Sequence, residues 1–205
     1  MYGAAYSKRG MSRKKGLDFR KKRKKTNHAK LIKELSLWAF WIFLPIFAAI
    51  ALMYAFGFRT NVIGNAMEPG LYANQQIMIN ILVYQISEPE RGDIIAFLPN
   101  GNSNSHYYIK RVIGMPGEKI RIEDGYVYIN DVRLKESNDY DKIAVPGIAE
   151  SDILLGKDEY FVLGDNRNFS EDSRSGNIGT VKSSYIIGKV WFKFSDKLEN
   201  MGFVK

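Results

Sequence analysis

Polar and apolar positions divide the chain into three stretches of different character. Residues 1–34 show almost no apolar periodicity, and runs such as Lys21–Lys25 repel themselves, so this segment reads as disordered or frayed helix. Leu35–Phe58 then gives 24 residues without a charge, bounded by Glu34 and Arg59. A helix of that length spans about 36 Å, against about 30 Å for a bilayer core. Trp38, Trp41 and Tyr54 stand towards its two ends, where an aromatic belt belongs, and Pro45 predicts a kink of the kind membrane helices tolerate. A cleaved export signal also joins a basic start to an apolar run, but its apolar core is only about 7–15 residues, so the pattern predicts an uncleaved anchor.

From residue 60 the pattern turns to short runs rich in β-branched and aromatic residues, separated by Gly, Pro, Asn or Asp. Strands are predicted at 76–83, 93–98, 107–114, 119–123, 126–129, 160–163 and 186–194. Asp124-Gly125 is a two-residue hairpin signal, and Asn130-Asp131 offers a second turn at once. Residues 135–156 are polar and weakly patterned, which predicts a long surface excursion. The fold class is therefore mainly β: one N-terminal transmembrane helix, then an antiparallel β-sheet domain with coiled excursions. The organisation expected is a basic tail over 1–34, an anchor over 35–58 and a β domain over 59–205.

Charge sharpens this division. The chain carries 30 Lys and Arg against 22 Asp and Glu, a net charge of +8. Thirteen of those cations and only two of the acids precede Leu35, a net +11, which leaves −3 for residues 35–205. The basicity belongs to a tail. A tail of this kind suits nucleic acid or the cytoplasmic face of a membrane, and the adjoining anchor favours the membrane. The positive-inside rule then places residues 1–34 in the cytoplasm and everything beyond Arg59 outside. A membrane-tethered nucleic-acid binder is the weaker reading, because it rests on the tail alone.

Composition removes several chemistries. The chain has no cysteine, which excludes disulfides, thiol nucleophiles and Cys-based zinc sites. Its two histidines are His28, in the tail, and His106, so a Ser-His-Asp arrangement has one possible base. No ligand cluster or phosphate loop points to a metal or nucleotide, and no cofactor is expected.

Three stretches carry candidate chemistry: Gly64–Leu71, Tyr107–Gly117 and Gly164–Arg174. The last, GDNRNFSEDSR, follows a strand-like run and reads either as a solvated loop or as a site. In the second, alternation puts Lys110 and Arg111 on opposite faces of one strand, so one cation must face inward or lie along a cleft wall. The plainer alternative is that both snorkel at a sheet edge. A lysine serving as a base must be neutral near pH 7, which burial beside apolar groups would favour.

Together the three stretches resemble bacterial type I signal peptidases, the membrane-anchored serine proteases that remove secretory signal peptides. The family's nucleophile pattern is Gly, a variable residue, then Ser-Met-x-Pro-x-Leu, and Gly64, Asn65, Met67, Pro69 and Leu71 fit it. Tyr108–Gly114 with Pro116-Gly117 resembles its general-base region, Arg91-Gly92-Asp93-Ile94 a further strand start, and Gly164–Arg174 its closing box at every fixed position. The departure is Ala66, which stands where the family has its nucleophilic serine.

The resemblance implies a Ser-Lys dyad with Lys110 as general base and position 66 as nucleophile. It implies that Ser170 orients the Lys110 amine, that Asp172 and Arg174 pair to hold the closing loop, and that Asp165, Arg167 and Arg111 support it. The backbone N–H of Ala66 would serve the oxyanion hole; relatives with a hydroxyl two residues earlier have a second donor, where this chain has Gly64. Met67 and Leu71 either line the substrate groove, touch lipid near the end of the anchor or pack in the core. Signal peptides of exported preproteins, cut after small residues at −1 and −3, are the implied substrates; the bilayer and the export machinery are implied partners, and nucleic acid is not. Alanine has no oxygen with which to attack a carbonyl, so the chain is expected to be inactive. Ala66 is then either an engineered inactivation of a signal peptidase or the mark of a natural pseudo-peptidase that binds exported or pilin-like substrates.

Overall fold

The structure, a computed structural model, describes residues 28–136, 138–195 and 201–204, apart from the side chains of Ala29 and residues 53–56. The expectation of a disordered or frayed tail falls mostly on residues 1–27, outside the described residues. The apolar run forms helix α1, His28–Phe56, which begins seven residues before the expected Leu35 and stops two before Phe58. The early start takes in Lys30, Lys33 and Glu34, all of which have good helix propensity. Gly57, at φ +80°, ends the helix in a conformation that an L-residue rarely adopts, and Phe58 is already in a strand. Within α1, Lys30–Leu52 has a mean hydropathy of 2.2 and is long and apolar enough to cross a membrane. Trp38 and Trp41 are exposed on it.

Beyond α1 the described residues form two antiparallel sheets. The larger runs in the order β1 (Phe58–Asn61), β2 (Gln76–Asn80), β11 (Ile186–Lys193), β3 (Ile94–Phe97), β4 (Tyr108–Gly114), β9 (Glu159–Leu163) and β10 (Val181–Lys182), with β12 (Gly202–Phe203) also on β11. The smaller has the order β7 (Val132–Arg133), β6 (Tyr126–Ile129), β5 (Lys119–Glu123) and β8 (Ile153–Leu154). Both expected turns form: Asp124 and Gly125 have φ +52° and +81°, and Asn130 and Asp131 have +48° and +67°. Positive φ at both central residues matches the twist of tightly joined strands.

The expected strand at 76–83 closes early, at Asn80. The Asn80 Oδ1 accepts from the backbone N–H groups of Leu82 (2.9 Å) and Val83 (3.1 Å), and so starts the single-turn helix α2, Val83–Ile86.

Apolar side chains cover both faces of the central strands. Ile94, Ala96 and Ile109 pack with Val62, Met67, Leu71, Ile77, Ile79 and Val190, whereas Ile95, Phe97, Val112 and Val162 pack with Tyr160, Ile178 and Val181. A third cluster joins the small sheet to Ile113, Phe161 and Leu163. Residues 135–156 are more than a surface excursion, since Ile143, Ala149 and Leu155 enter that third cluster. Each fully buried side chain of the size of Leu or Ile contributes roughly 1.5–3 kcal/mol, which is how a domain without disulfides is held together.

Candidate active site

β4 sits between β3 and β9, pairing Lys110 with Ile95 and Arg111 with Leu163. Alternation called for one buried cation, and the structure buries both: Lys110 is 5% exposed and Arg111 7%. The reason is position, because a central strand covered on both faces has no solvent side for either cation. Their environments differ. Arg111 meets Asp165 in a two-point fork, Nε to Oδ1 at 2.8 Å and the second guanidinium nitrogen to Oδ2 at 2.7 Å, and also donates to the Gly92 carbonyl at 2.8 Å.

Among the described residues Lys110 Nζ takes no hydrogen bond or salt bridge; its close neighbour is the Tyr108 ring, 5.6 Å away. Burial pulls its pKa below the ordinary lysine value of 10.5, and Arg174 acts in the same direction. The carboxylates of Asp172, Glu171 and Asp165 oppose the shift without cancelling it.

Lys110 and Ala66 line the same cleft, a volume of about 330 Å³, with Val62, Ile63 and Met67 on either side of Ala66 and His106–Ile109 leading into β4. The Gly64–Leu71 stretch is pinned from the closing box: Asn166 N donates to the Ala66 carbonyl (3.1 Å) and Asn166 Nδ2 to the Asn65 carbonyl (3.2 Å). Among the described residues nothing accepts from the Ala66 N–H. Ser170 Oγ is buried without a partner. It lies where a Cβ added to Gly164 would overlap both it and the Ala66 carbonyl oxygen. Gly164→Ala is therefore expected to cost about 1–3 kcal/mol by overpacking, read as a lower urea midpoint.

The closing box is fastened by three charge pairs. Asp172 grips Arg174 at two points of 2.8 Å each and accepts from Gly164 N at 3.0 Å, closing the loop on itself. Asp165 and Arg167 do not pair with each other. Asp165 reaches β4 through Arg111, while Arg167, 2% exposed, forks onto Glu136 and stacks 4.1 Å over the Tyr140 ring. Asn168 bridges the same excursion, donating to the Lys142 carbonyl (3.0 Å) and accepting from Ala144 N (2.9 Å). Glu136, Tyr140, Asn166 and Glu171 were not picked out from sequence. Asn166 sat in the matched box and had a signal; Glu136 and Tyr140 lay in a stretch with none.

Of the readings offered for Met67 and Leu71, both side chains are found in one core cluster, 1% and 0% exposed, and Met67 also lines the cleft. Gly64 is exposed at φ +75°, a backbone conformation that glycine adopts readily, and it offers no side-chain donor.

Comparison with known proteins decides the family. The signal peptidase family, peptidase S26, matches over residues 35–195. This chain belongs to it. A probable signal peptidase I-2 of Synechocystis is 35% identical to this signal peptidase family member over 165 residues, 75% of this chain and 73% of that protein. Signal peptidase I T of Bacillus subtilis is 31% identical, covering 77% and 83%. A crystal structure of a signal peptidase I from Enterococcus faecalis is 34% identical, covers 51% of this chain and 98% of that one, and superposes with a TM-score of 0.39. The match begins within the apolar helix and ends just past β11, so it takes in all three stretches of the candidate site.

Proposed function

We propose that this chain is a signal peptidase I arrested at its nucleophile. The substrates are signal peptides of exported preproteins, cut after small residues at −1 and −3. The single observation that carries this reading is a buried, unpaired Lys110 amine lining the same cleft as Ala66. The Tyr108 ring 5.6 Å away and the nearby carboxylates offset only part of the cost of desolvating this amine, and proton transfer accounts for keeping it there. A hydroxyl at position 66 would lose its proton to Nζ as it attacked the scissile carbonyl, and Nζ would return that proton to the leaving amine. The Ala66 N–H faces no competing acceptor and suits the oxyanion. The resemblance assigns the orienting of Nζ to Ser170 Oγ, which is buried and makes no hydrogen bond to Lys110 among the described residues. In this reading residues 1–34 are cytoplasmic, α1 is a single-pass anchor in the bilayer and the β domain is extracytoplasmic, where the export machinery delivers substrate.

The test is Ala66→Ser in detergent or lipid against a peptide with an A-x-A site. Cleavage at that site is expected, and a silent revertant discards the reading. Ala66 itself favours a second possibility, a natural pseudo-peptidase that holds exported or pilin-like proteins without cutting them. A native serine codon at position 66 of the source gene would remove it.

A further inference from the structure

Glu171 is the one carboxylate among the residues lining the cleft, and it follows Ser170 directly. Its side chain is exposed and held from two sides, with Tyr108 Oη donating to Oε2 and Asn177 Nδ2 to Oε1, each at 3.4 Å. Both bonds are long, and a carboxylate offers about four acceptor positions, so half of its capacity is left over. Among the described residues no cation stands within salt-bridge distance of it, although Lys110 in the same cleft feels its charge from further off. The other acids of the closing box, by contrast, are each gripped by an arginine. Beside it stands Tyr108, and Tyr107, exposed and packed on Phe58, lines the same cleft; such rings attract an ammonium or guanidinium group.

We propose that Glu171 is a specificity-determining residue that selects a lysine or arginine side chain in the bound peptide and rejects an acidic one. The proposal rests on the reading of the cleft as a peptide site. An apolar wall accepts small side chains but cannot choose between charges; an oriented, unpaired carboxylate beside aromatic rings can. The pair forms at the cleft mouth, in contact with water, so its effect is modest. An exposed ion pair with a tyrosine ring alongside corresponds to a preference of about three- to tenfold for the cation over a neutral residue.

Because Ala66 leaves the peptide uncut, the preference is measurable at equilibrium on the full chain in detergent micelles. A labelled peptide with an A-x-A site is prepared as a series in which one Lys, Gln or Glu is walked along the positions flanking that site. Kd is read by fluorescence anisotropy. At one position Lys is expected to bind about three- to tenfold tighter than Gln, and Glu weaker than Gln, with the spread narrowing as salt rises. Glu171→Gln should erase the spread and Glu171→Lys invert it, each read in molecules that remain folded. Equal binding of the Lys, Gln and Glu peptides at every position, or a spread that survives Glu171→Gln, overturns the proposal and leaves the peptide site standing. Absence of binding by every peptide, together with a silent Ala66→Ser revertant, removes the peptide site and the selection with it.

Discussion

In a chain carrying Ala66→Ser, the additional change Lys110→Met is expected to abolish the recovered cleavage, a loss of about 10²- to 10⁴-fold, as for removal of a general base. Methionine fills a similar volume without a proton acceptor, so a loss confined to turnover, with peptide affinity kept, separates a chemical role from a packing one. The pH profile gives the second readout. Cleavage needs neutral Nζ, and burial lowers the pKa of Lys110 from 10.5. The rate is therefore expected to rise with pH and level off below the point at which free lysine would titrate. Stability follows the same group with its own sign. Below the folded-state pKa the native chain must hold a buried ammonium, whereas the unfolded chain holds its proton at no such cost. The penalty is fully present there and disappears as pH climbs through the window up to 10.5. Lys110→Met should therefore raise the urea midpoint at low and neutral pH, and the gain should shrink as pH is raised through that window. A midpoint difference that stays constant with pH would show that Lys110 is not buried as a strained cation.

The elements that follow from local pattern were legible in the sequence. The charge-free run announced α1, and Asp124-Gly125 and Asn130-Asp131 announced the two tight turns. The three boxes announced the family because their residue types are fixed by chemistry at fixed spacing. What could not be read depends on where a strand lies in its sheet and on partners far away in sequence. Lys110 and Arg111 looked like an inside-and-outside pair because alternation describes a half-buried strand; β4 is central, and both are buried. Arg111 and Asp165 lie 54 residues apart, and Arg167 and Glu136 31 apart. No periodicity links positions that only the tertiary fold brings together. Residues 135–156 misled for a related reason: their apolar side chains are few and irregularly spaced, but Ile143, Ala149 and Leu155 close the third core cluster while Glu136 and Tyr140 brace Arg167.

Breaking the Arg111–Asp165 fork is expected to have the largest effect on stability. Asp165→Ala takes from the buried Arg111 guanidinium its two-point carboxylate partner, and removing one partner of a buried ion pair costs about 3–5 kcal/mol. The loss should appear as a lower urea midpoint. Since Asp165 also abuts Gly70, whose position an added Cβ would contest, the damage should spread to the Gly64–Leu71 stretch. In the Ala66→Ser background it should lower cleavage in molecules that remain folded. Asp131, which is exposed and pairs with Lys119 at 2.8 Å, is the control: Asp131→Asn removes an ion pair of similar length in water, keeps a residue that tolerates the φ of +67°, and should leave the midpoint where it was. The decisive comparison is the double variant Asp165→Ala with Arg111→Met. If the cost of the single change is that of an orphaned buried charge, removing the charge as well should recover much of it, because a buried ion pair and an apolar replacement of similar volume differ little. If the double variant is as unstable as the sum of the two single changes, the pair is not coupled, and the fork does not hold the closing box against β4.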